Sequence, residues 1–180
     1  MSYQKPSVTD IEAKKNEIDF EKFNYALTLE TDLGEIELEF FPDIAPGHCR
    51  NMLGLAEAGF YDSLTFHRVI PGFVIQGGCP EGTGTGGPGY QIKAEFNSKP
   101  HETGTLSMAR AQDPDSGGSQ FFLCLDKVSS LDNQYTVFGQ AKNAKSIDVI
   151  KQIGGVTTGP GDKPVEDVRM KKVTVTTQPK

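Results

Sequence analysis

One cation stands in an otherwise apolar stretch of the sequence, FHRVIPGFVIQGG. Placing the guanidinium of Arg68 beside so much apolar surface is unfavourable unless a specific interaction uses its charge. If TFHRVI is a strand, a period of two places Phe66, Arg68 and Ile70 on one face and turns His67 and Val69 to the other. Arg68 is therefore the first candidate for chemistry.

Two further segments each place an amide side chain on the same strand face as an apolar side chain. In FVIQ the same period of two pairs Val74 with Gln76, and in SQFFLCL it groups Gln120 with Phe122. Each of these residues, taken singly, is more often a packing residue. Only their combination with the arginine indicates a site.

The motif GTGTGG is the strongest candidate for a cofactor site, because Gly82, Gly84 and Gly87 satisfy the pattern GxGxxG. A dinucleotide site needs a helix directly after this turn, whose free amides hold the pyrophosphate. Here Pro88-Gly89 and the strand-like YQIKAEF follow instead. The segment is expected to be a surface loop, and no cofactor is predicted.

Nucleophilic and metal-dependent chemistry find little support. Ser119 lies in GGSQF, which is not GxSxG, and the three histidines show no arrangement with an aspartate and a nucleophile. His67 is expected to be a hydrogen-bonded structural histidine, and His101, in a polar loop, a solvated one. No spacing of His, Cys, Asp and Glu matches a metal site. A hydrolase or a metalloenzyme is therefore disfavoured.

Composition narrows the class of protein further. A chain of 180 residues is expected to form one domain with its own core. Its formal charge of −6 includes no block of Lys or Arg, so nucleic acid is not an expected partner. No apolar run approaches the roughly 20 residues that cross a bilayer, so no membrane association is expected. Three widely spaced cysteines favour a reduced, cytoplasmic setting.

The elements that must position these residues follow a polar N-terminal extension, residues 1–22. Within it, Thr9 and Glu12 have the spacing of a capping box, which indicates a short helix. From Tyr25 apolar residues alternate with others, TDLGE supplies a turn, and the alternation resumes at Ile36. This pattern predicts a β-hairpin.

Two helices and several short strands are predicted beyond the hairpin. The helices are PGHCRNMLGLAEAG, which Gly59 ends, and NAKSIDVIKQIGG. The strand candidates are TFHRVI, FVIQ, YQIKAEF, TLSMAR, SQFFLCL, YTVFGQ and DVRMKKVTVTT, the last with a bulge at Lys171-Lys172. Many short strands without βαβ alternation predict an all-β protein, an antiparallel barrel or sandwich with helices added.

Four segments together resemble the cyclophilins, the cyclosporin-binding class of peptidyl-prolyl cis/trans isomerases. They are FHRVIPGFVIQGG, GTGTGGPGY, GTLSMARAQDPDSGGSQFFLCL and LDNQYTVFGQ. The resemblance covers residues 23–178, which are expected to form the isomerase domain. It implies an eight-stranded antiparallel closed β-barrel capped by two α-helices, with a shallow peptide groove on its outer face. It also implies a monomer that needs no cofactor.

Carried over onto this sequence, the resemblance assigns Arg68 as the catalytic residue. It assigns to substrate binding Phe73, Val74, Phe122 and Leu131 in the proline pocket, Gln76 and Gln120 at its border, Ala109, Arg110 and Ala111 along the peptide backbone, and Tyr135 at a position often filled by histidine. The partners that it implies are proline-containing peptides and unfolded or flexible proteins, whose folding the enzyme would assist.

Two positions depart from the family pattern. Arg110 stands where many members carry asparagine, a change that leaves the backbone contacts of its segment available. Ser130 replaces the tryptophan with which animal cytosolic cyclophilins hold cyclosporin. Binding of that drug is therefore expected to be weakened, whereas the isomerase reaction is not.

The implied reaction suits a site without a nucleophile. Rotation about an X-Pro bond crosses a barrier of about 18–20 kcal/mol, at which the amide loses its resonance but no bond breaks. The prolyl nitrogen then regains a lone pair, to which the guanidinium of Arg68 can donate a hydrogen bond. Two alternatives stay open: a proline-peptide binding module within a larger assembly, and an oxidoreductase built on GTGTGG.

Overall fold

The hairpin expected from the alternating residues is present in the computed structural model, which describes residues 2–180. It consists of β1 (Phe23–Thr31) and β2 (Gly34–Phe40). Leu27 lies opposite Leu38, and both side chains are fully buried. The alternation therefore sends one face of the hairpin into the core, as a period of two requires.

Eight antiparallel strands form one strongly curled sheet. The other six are β3 (Arg68–Ile70), β4 (Val74–Gly77), β5 (Thr105–Met108), β6 (Phe121–Cys124), β7 (Val137–Ala141) and β8 (Met170–Pro179). The order across the sheet is β3-β4-β6-β5-β7-β2-β1-β8. The expected closed barrel is not confirmed, because the edge strands β3 and β8 form no ladder and the isolated bridge between Thr65 and Arg169 joins this part of the chain instead.

Residues 2–180 contain three α-helices, one more than the resemblance implied. They are α1 (Val8–Asn16), α2 (Pro46–Glu57) and α3 (Ala144–Gly154), and two short 3₁₀ segments span Ser129–Leu131 and Pro160–Asp162. None of the helices within the described chain is long and apolar enough to cross a membrane. The additional helix is α1, the short helix indicated in the N-terminal extension.

Helix α1 begins two residues earlier than the capping-box spacing indicated, and it packs on α2. Its N-cap is Ser7, whose hydroxyl accepts a hydrogen bond from the amide of Asp10 at 3.1 Å. Ile11 is fully buried in the main core. From α2, Arg50 donates to the carbonyl of Ile18 at 2.6 Å. The N-terminal extension is thus tied to the rest of the fold through both apolar and polar contacts.

One predicted strand, YQIKAEF at residues 90–96, is absent. The amide of Ile92 donates to the carbonyl of Gly117 at 2.8 Å, as an isolated bridge. The amide of Glu95 donates instead to the hydroxyl of Thr136 at 2.9 Å. These backbone amides donate to separate partners instead of to one neighbouring strand. No ladder forms, although the sequence alternates as a strand would.

The bulge predicted in the last strand is confirmed. Glu30 of β1 pairs with Lys172, whereas the next residue, Thr31, pairs with Met170. Lys171 is therefore the extra residue, and it is exposed. The bulge shifts the phase of β8, so that Met170 and Val173 both reach the main core. This core lies between the sheet and the three helices, all of which contribute buried residues to it.

Candidate functional site

A second apolar cluster lies apart from the main core. It contains the buried residues Val74, Phe122 and Cys124, against which the partly buried Phe73, Ala109, Leu131 and Tyr135 pack. The pairing of β4 with β6 explains it, since Val74 lies opposite Cys124 and Gln76 opposite Phe122. The alternate residues, Ile75 and Leu123, enter the main core. The grouping expected from the period of two is confirmed.

This cluster forms a surface depression of about 120 Å³. Every residue that lines it was a predicted site residue: Arg68, Phe73, Val74, Gln76, Ala109, Arg110, Phe122, Leu131 and Tyr135. The remaining two, Ala111 and Gln120, line an adjoining hollow that shares Gln76, Ala109 and Arg110 with the depression. The structure therefore brings all the predicted residues together along one groove.

Arg68 lies at the rim of the depression and is exposed. Its Nη1 donates to Oε1 of Gln76 across the β3–β4 pair at 3.4 Å, and no carboxylate of residues 2–180 forms an ion pair with it. Phe66, expected on the same face, is instead fully buried in the main core, because the regular strand begins only at Arg68. The guanidinium thus stays solvated while it borders apolar surface.

A chain of hydrogen bonds leads from Arg68 to the glycine-rich loop GTGTGG, residues 82–87. Gln76, which accepts from Arg68, donates through Nε2 to Oε1 of Gln120 at 3.0 Å. Gln120 in turn donates through Nε2 to the carbonyls of Gly84 and Gly86, each at 2.9 Å. These bonds orient both amide side chains and fix the loop as one side of the groove.

The glycine-rich loop is organised around a thiol. The Sγ atom of Cys79, which is fully buried, accepts hydrogen bonds from the amides of Gly84 and Gly86, each at 3.3 Å. Burial raises the pKa of this thiol, but the surrounding backbone amides outweigh burial and hold the pKa below its ordinary value. Within the described chain no helix begins after this loop until residue 129, so the helix N-terminus of a dinucleotide site is missing.

Arg110 links its own segment, residues 109–111, to the segment that contains Gln134 and Tyr135. Its guanidinium lies over the ring of Tyr135, 4.5 Å from the centroid. Its Nη2 donates to the carbonyl of Gln134 at 2.6 Å, and its Nη1 to the carbonyl of Ala111 at 2.9 Å. Arg110, one of the two departures from the family pattern, therefore fixes the backbone at Ala111 and at Gln134.

His101 is a residue that the sequence reasoning missed. The expectation of a solvated side chain is wrong, because His101 is fully buried. Its ring stacks on Phe122 with centroids 6.0 Å apart and planes at 16°. Its two ring nitrogens lie 3.0 Å from Oδ1 of Asp132 and 2.9 Å from Oγ of Ser107. No local pattern marks it, since both partners of the ring come from other parts of the chain.

His67 also differs from its expectation. It is nearly buried, but neither ring nitrogen has a hydrogen-bond partner among the described residues. Burial lowers the pKa of this imidazole, and the positive charges of Arg68 and Lys163 lower the pKa further. His67 is therefore a nearly buried ring, and the hydrogen bond expected of it is absent within residues 2–180.

The site thus consists of an exposed arginine at the rim of an apolar depression, on the sheet face opposite the main core of a β-protein. Residues 26–175 match the family described as cyclophilin type peptidyl-prolyl cis-trans isomerase/CLD. A peptidyl-prolyl cis-trans isomerase of Synechococcus elongatus is 54% identical over 125 residues, which are 69% of this chain and 86% of that protein. One from Arabidopsis thaliana is 40% identical over 154 residues, 83% of this chain and 92% of that protein.

Solved structures agree with these relatives. A crystal structure of a cyclophilin type isomerase of Cryptosporidium parvum superimposes with a TM-score of 0.80 at 30% identity, covering 87% of this chain and 99% of that one. The same Cryptosporidium protein was also crystallised in the presence of the dipeptide Ala-Pro, and that structure has a TM-score of 0.77. The chain belongs to the cyclophilin-type peptidyl-prolyl cis-trans isomerase family.

Proposed function

We propose that this isomerase rotates X-Pro bonds without covalent chemistry, in the depression between Phe73, Phe122 and Leu131. Arg68 is its catalytic residue. The observation that carries the proposal is the position of this exposed guanidinium, which forms no ion pair within residues 2–180, at the rim of the apolar depression. The Ala-Pro dipeptide used with the Cryptosporidium relative supports proline as the residue that enters.

The guanidinium acts on the prolyl nitrogen. When the amide twists, this nitrogen becomes pyramidal and gains a lone pair that the planar amide lacks. A guanidinium carries only donors, so Arg68 can meet that lone pair with a hydrogen bond. Because the contact is stronger at the transition state than in the ground state, it lowers the barrier rather than merely retaining the substrate.

The apolar walls must supply the rest of the acceleration. A hydrogen bond from a charged donor contributes about 1.5–3 kcal/mol, whereas an acceleration on the order of 10⁵ requires about 7 kcal/mol. An apolar pocket disfavours the charge-separated planar amide relative to the less polar twisted one. Clamping the ring against Phe73, Phe122 and Leu131, while Gln76, Gln120 and the 109–111 backbone hold the flanking peptide, also restricts motion to the rotation coordinate.

The substrates proposed are exposed X-Pro bonds of unfolded or flexible proteins, whose folding the enzyme assists. The depression is small, about 120 Å³, and lies at the surface, so it suits one proline ring in an extended chain rather than a folded domain. We propose a cytoplasmic monomer in which residues 23–178 carry the activity. Cyclosporin binding is weak, because the exposed Ser130 offers no large apolar surface beside Leu131.

NMR exchange spectroscopy on an Ala-Pro peptide tests the function directly. The peptide shows separate cis and trans resonances, because uncatalysed exchange takes tens of seconds or longer. Substoichiometric protein is expected to produce exchange cross-peaks between them. Peaks that shift on titration without any exchange would instead identify a binding module, the alternative class of function.

A further inference from the structure

We propose that His101 is a positioning residue for the proline pocket, holding Phe122 and Leu131 in place from beneath. The inference rests on the proposed function of the depression. His101 does not line the depression, so it would touch no substrate and would act only through these two walls.

The first wall is held by stacking. The imidazole of His101 lies nearly parallel to the ring of Phe122, and Tyr135 meets that ring edge-on, with centroids 5.6 Å apart and planes at 82°. Phe122 is therefore supported by two rings in different directions. A ring held in this way presents one orientation to the substrate, as a precise pocket needs.

The imidazole is itself fixed at both ends by hydrogen bonds. Nδ1 faces the carboxylate of Asp132, which accepts, so Nδ1 carries a proton. Burial lowers the pKa of His101 although Asp132 opposes this effect, and Nε2 lies 2.9 Å from Oγ of Ser107. Ser107 is itself held in place, because its hydroxyl donates to the carbonyl of Thr136 at 3.0 Å.

The second wall is held through the backbone. The amide of His101 donates to Oδ1 of Asp132 at 2.7 Å, and its carbonyl accepts from the amide of Val128 at 3.0 Å. The 3₁₀ segment Ser129–Leu131 lies between these two anchor points. One residue thus fixes the segment that carries Leu131 and also the ring of Phe122, which sets the separation of the two walls.

His48 offers a matched control. It is also buried, its Nδ1 lies 2.6 Å from Oε1 of Glu95, and its ring lies against Phe138 with centroids 5.6 Å apart. It stands at the start of α2 and lines neither the depression nor the adjoining hollow. Replacing either histidine removes a buried, carboxylate-bound imidazole, but only one change affects the pocket walls.

The experiment compares His101→Gln, His101→Phe and His48→Gln with the wild type, at a temperature where circular dichroism shows each to be folded. Exchange spectroscopy gives the catalysed cis/trans rate, and titration of the same Ala-Pro peptide gives its affinity. His101→Gln is expected to lower the rate on the order of tenfold, since small misplacements of positioning groups have effects of this size or larger. Affinity should fall less than the rate.

His101→Phe keeps a ring beneath Phe122 and is expected to recover part of the lost rate, whereas His48→Gln should leave the rate within about twofold of the wild type. A His101→Gln rate equal to that of the wild type would overturn the proposal. If that variant does not fold, Asp132→Ala decides in its place, because Asp132 is partly exposed and anchors the same segment. A wild type without exchange activity would refute the proposed function itself.

Discussion

Replacing Arg68 by alanine separates catalysis from stability unusually well. The side chain is exposed, its one side-chain hydrogen bond, to Gln76, is long at 3.4 Å, and it takes part in no ion pair among residues 2–180. Surface substitutions of this kind change the free energy of unfolding by about 0.5 kcal/mol or less. A change in activity would then report the lost contact with the substrate.

The size of the effect follows from the contact that is removed. A charged hydrogen bond made at the transition state contributes about 1.5–3 kcal/mol, and each 1.36 kcal/mol corresponds to a factor of about ten in rate. Arg68→Ala should therefore lower kcat/KM about 10- to 150-fold. The loss should appear in kcat rather than KM, because the lone pair on the prolyl nitrogen develops only as the amide twists. Arg68→Lys keeps the charge without the planar fork and should be intermediate.

A protease-coupled assay on a proline peptide measures kcat/KM, and exchange spectroscopy confirms the result without a protease. The matched control is Lys151→Ala, which removes an exposed positive charge from α3, away from the groove. The control should retain wild-type activity. Full activity in Arg68→Ala would refute the proposed mechanism, and an equal loss in both variants would point to a general electrostatic effect.

Three further predictions follow from other parts of the molecule. Ile11→Ala should lower the free energy of unfolding by about 2–5 kcal/mol in urea denaturation, because Ile11 is fully buried; an unchanged midpoint would show that α1 adds no stability. Burial raises the pKa of Glu95, but its hydrogen bonds with His48 and the amide of Gly47 outweigh burial and hold the pKa below its ordinary value. The stability that these bonds contribute is therefore present above the unfolded pKa of Glu95 and is lost as the pH falls through its folded pKa. Glu95→Gln should thus destabilise the protein at pH 7, and the difference in free energy of unfolding between this variant and the wild type should shrink below about pH 4.5, the ordinary pKa of glutamate. A difference that is the same at both pH values would show that these bonds add no pH-dependent stability. Ser130→Trp should tighten cyclosporin inhibition by about 30-fold, as a well-packed interface tryptophan contributes about 2 kcal/mol or more; unchanged inhibition would place the drug elsewhere.

Elements with a strong local period could be predicted from the sequence. The hairpin, α2, α3 and the bulge in β8 all lie where the spacing of apolar residues placed them. The same period grouped Val74 with Gln76 and Gln120 with Phe122, because side chains two apart in a strand must share a face. The failures at Phe66 and at residues 90–96 have one cause, since their backbones are not paired regularly with neighbouring strands.

By itself the sequence determined the type of most elements and the family motifs around Arg68, because these depend on neighbours in the chain. Tertiary structure alone decided that the sheet is strongly curled without a ladder between β3 and β8, that Cys79 lies among backbone amides, and that His101 lies beneath Phe122. Ser107 and Asp132 contact His101 from other parts of the chain, and the polar sequence around His101 does not indicate these contacts. Burial of a polar side chain depends on partners distant in the chain, and these exist only after folding.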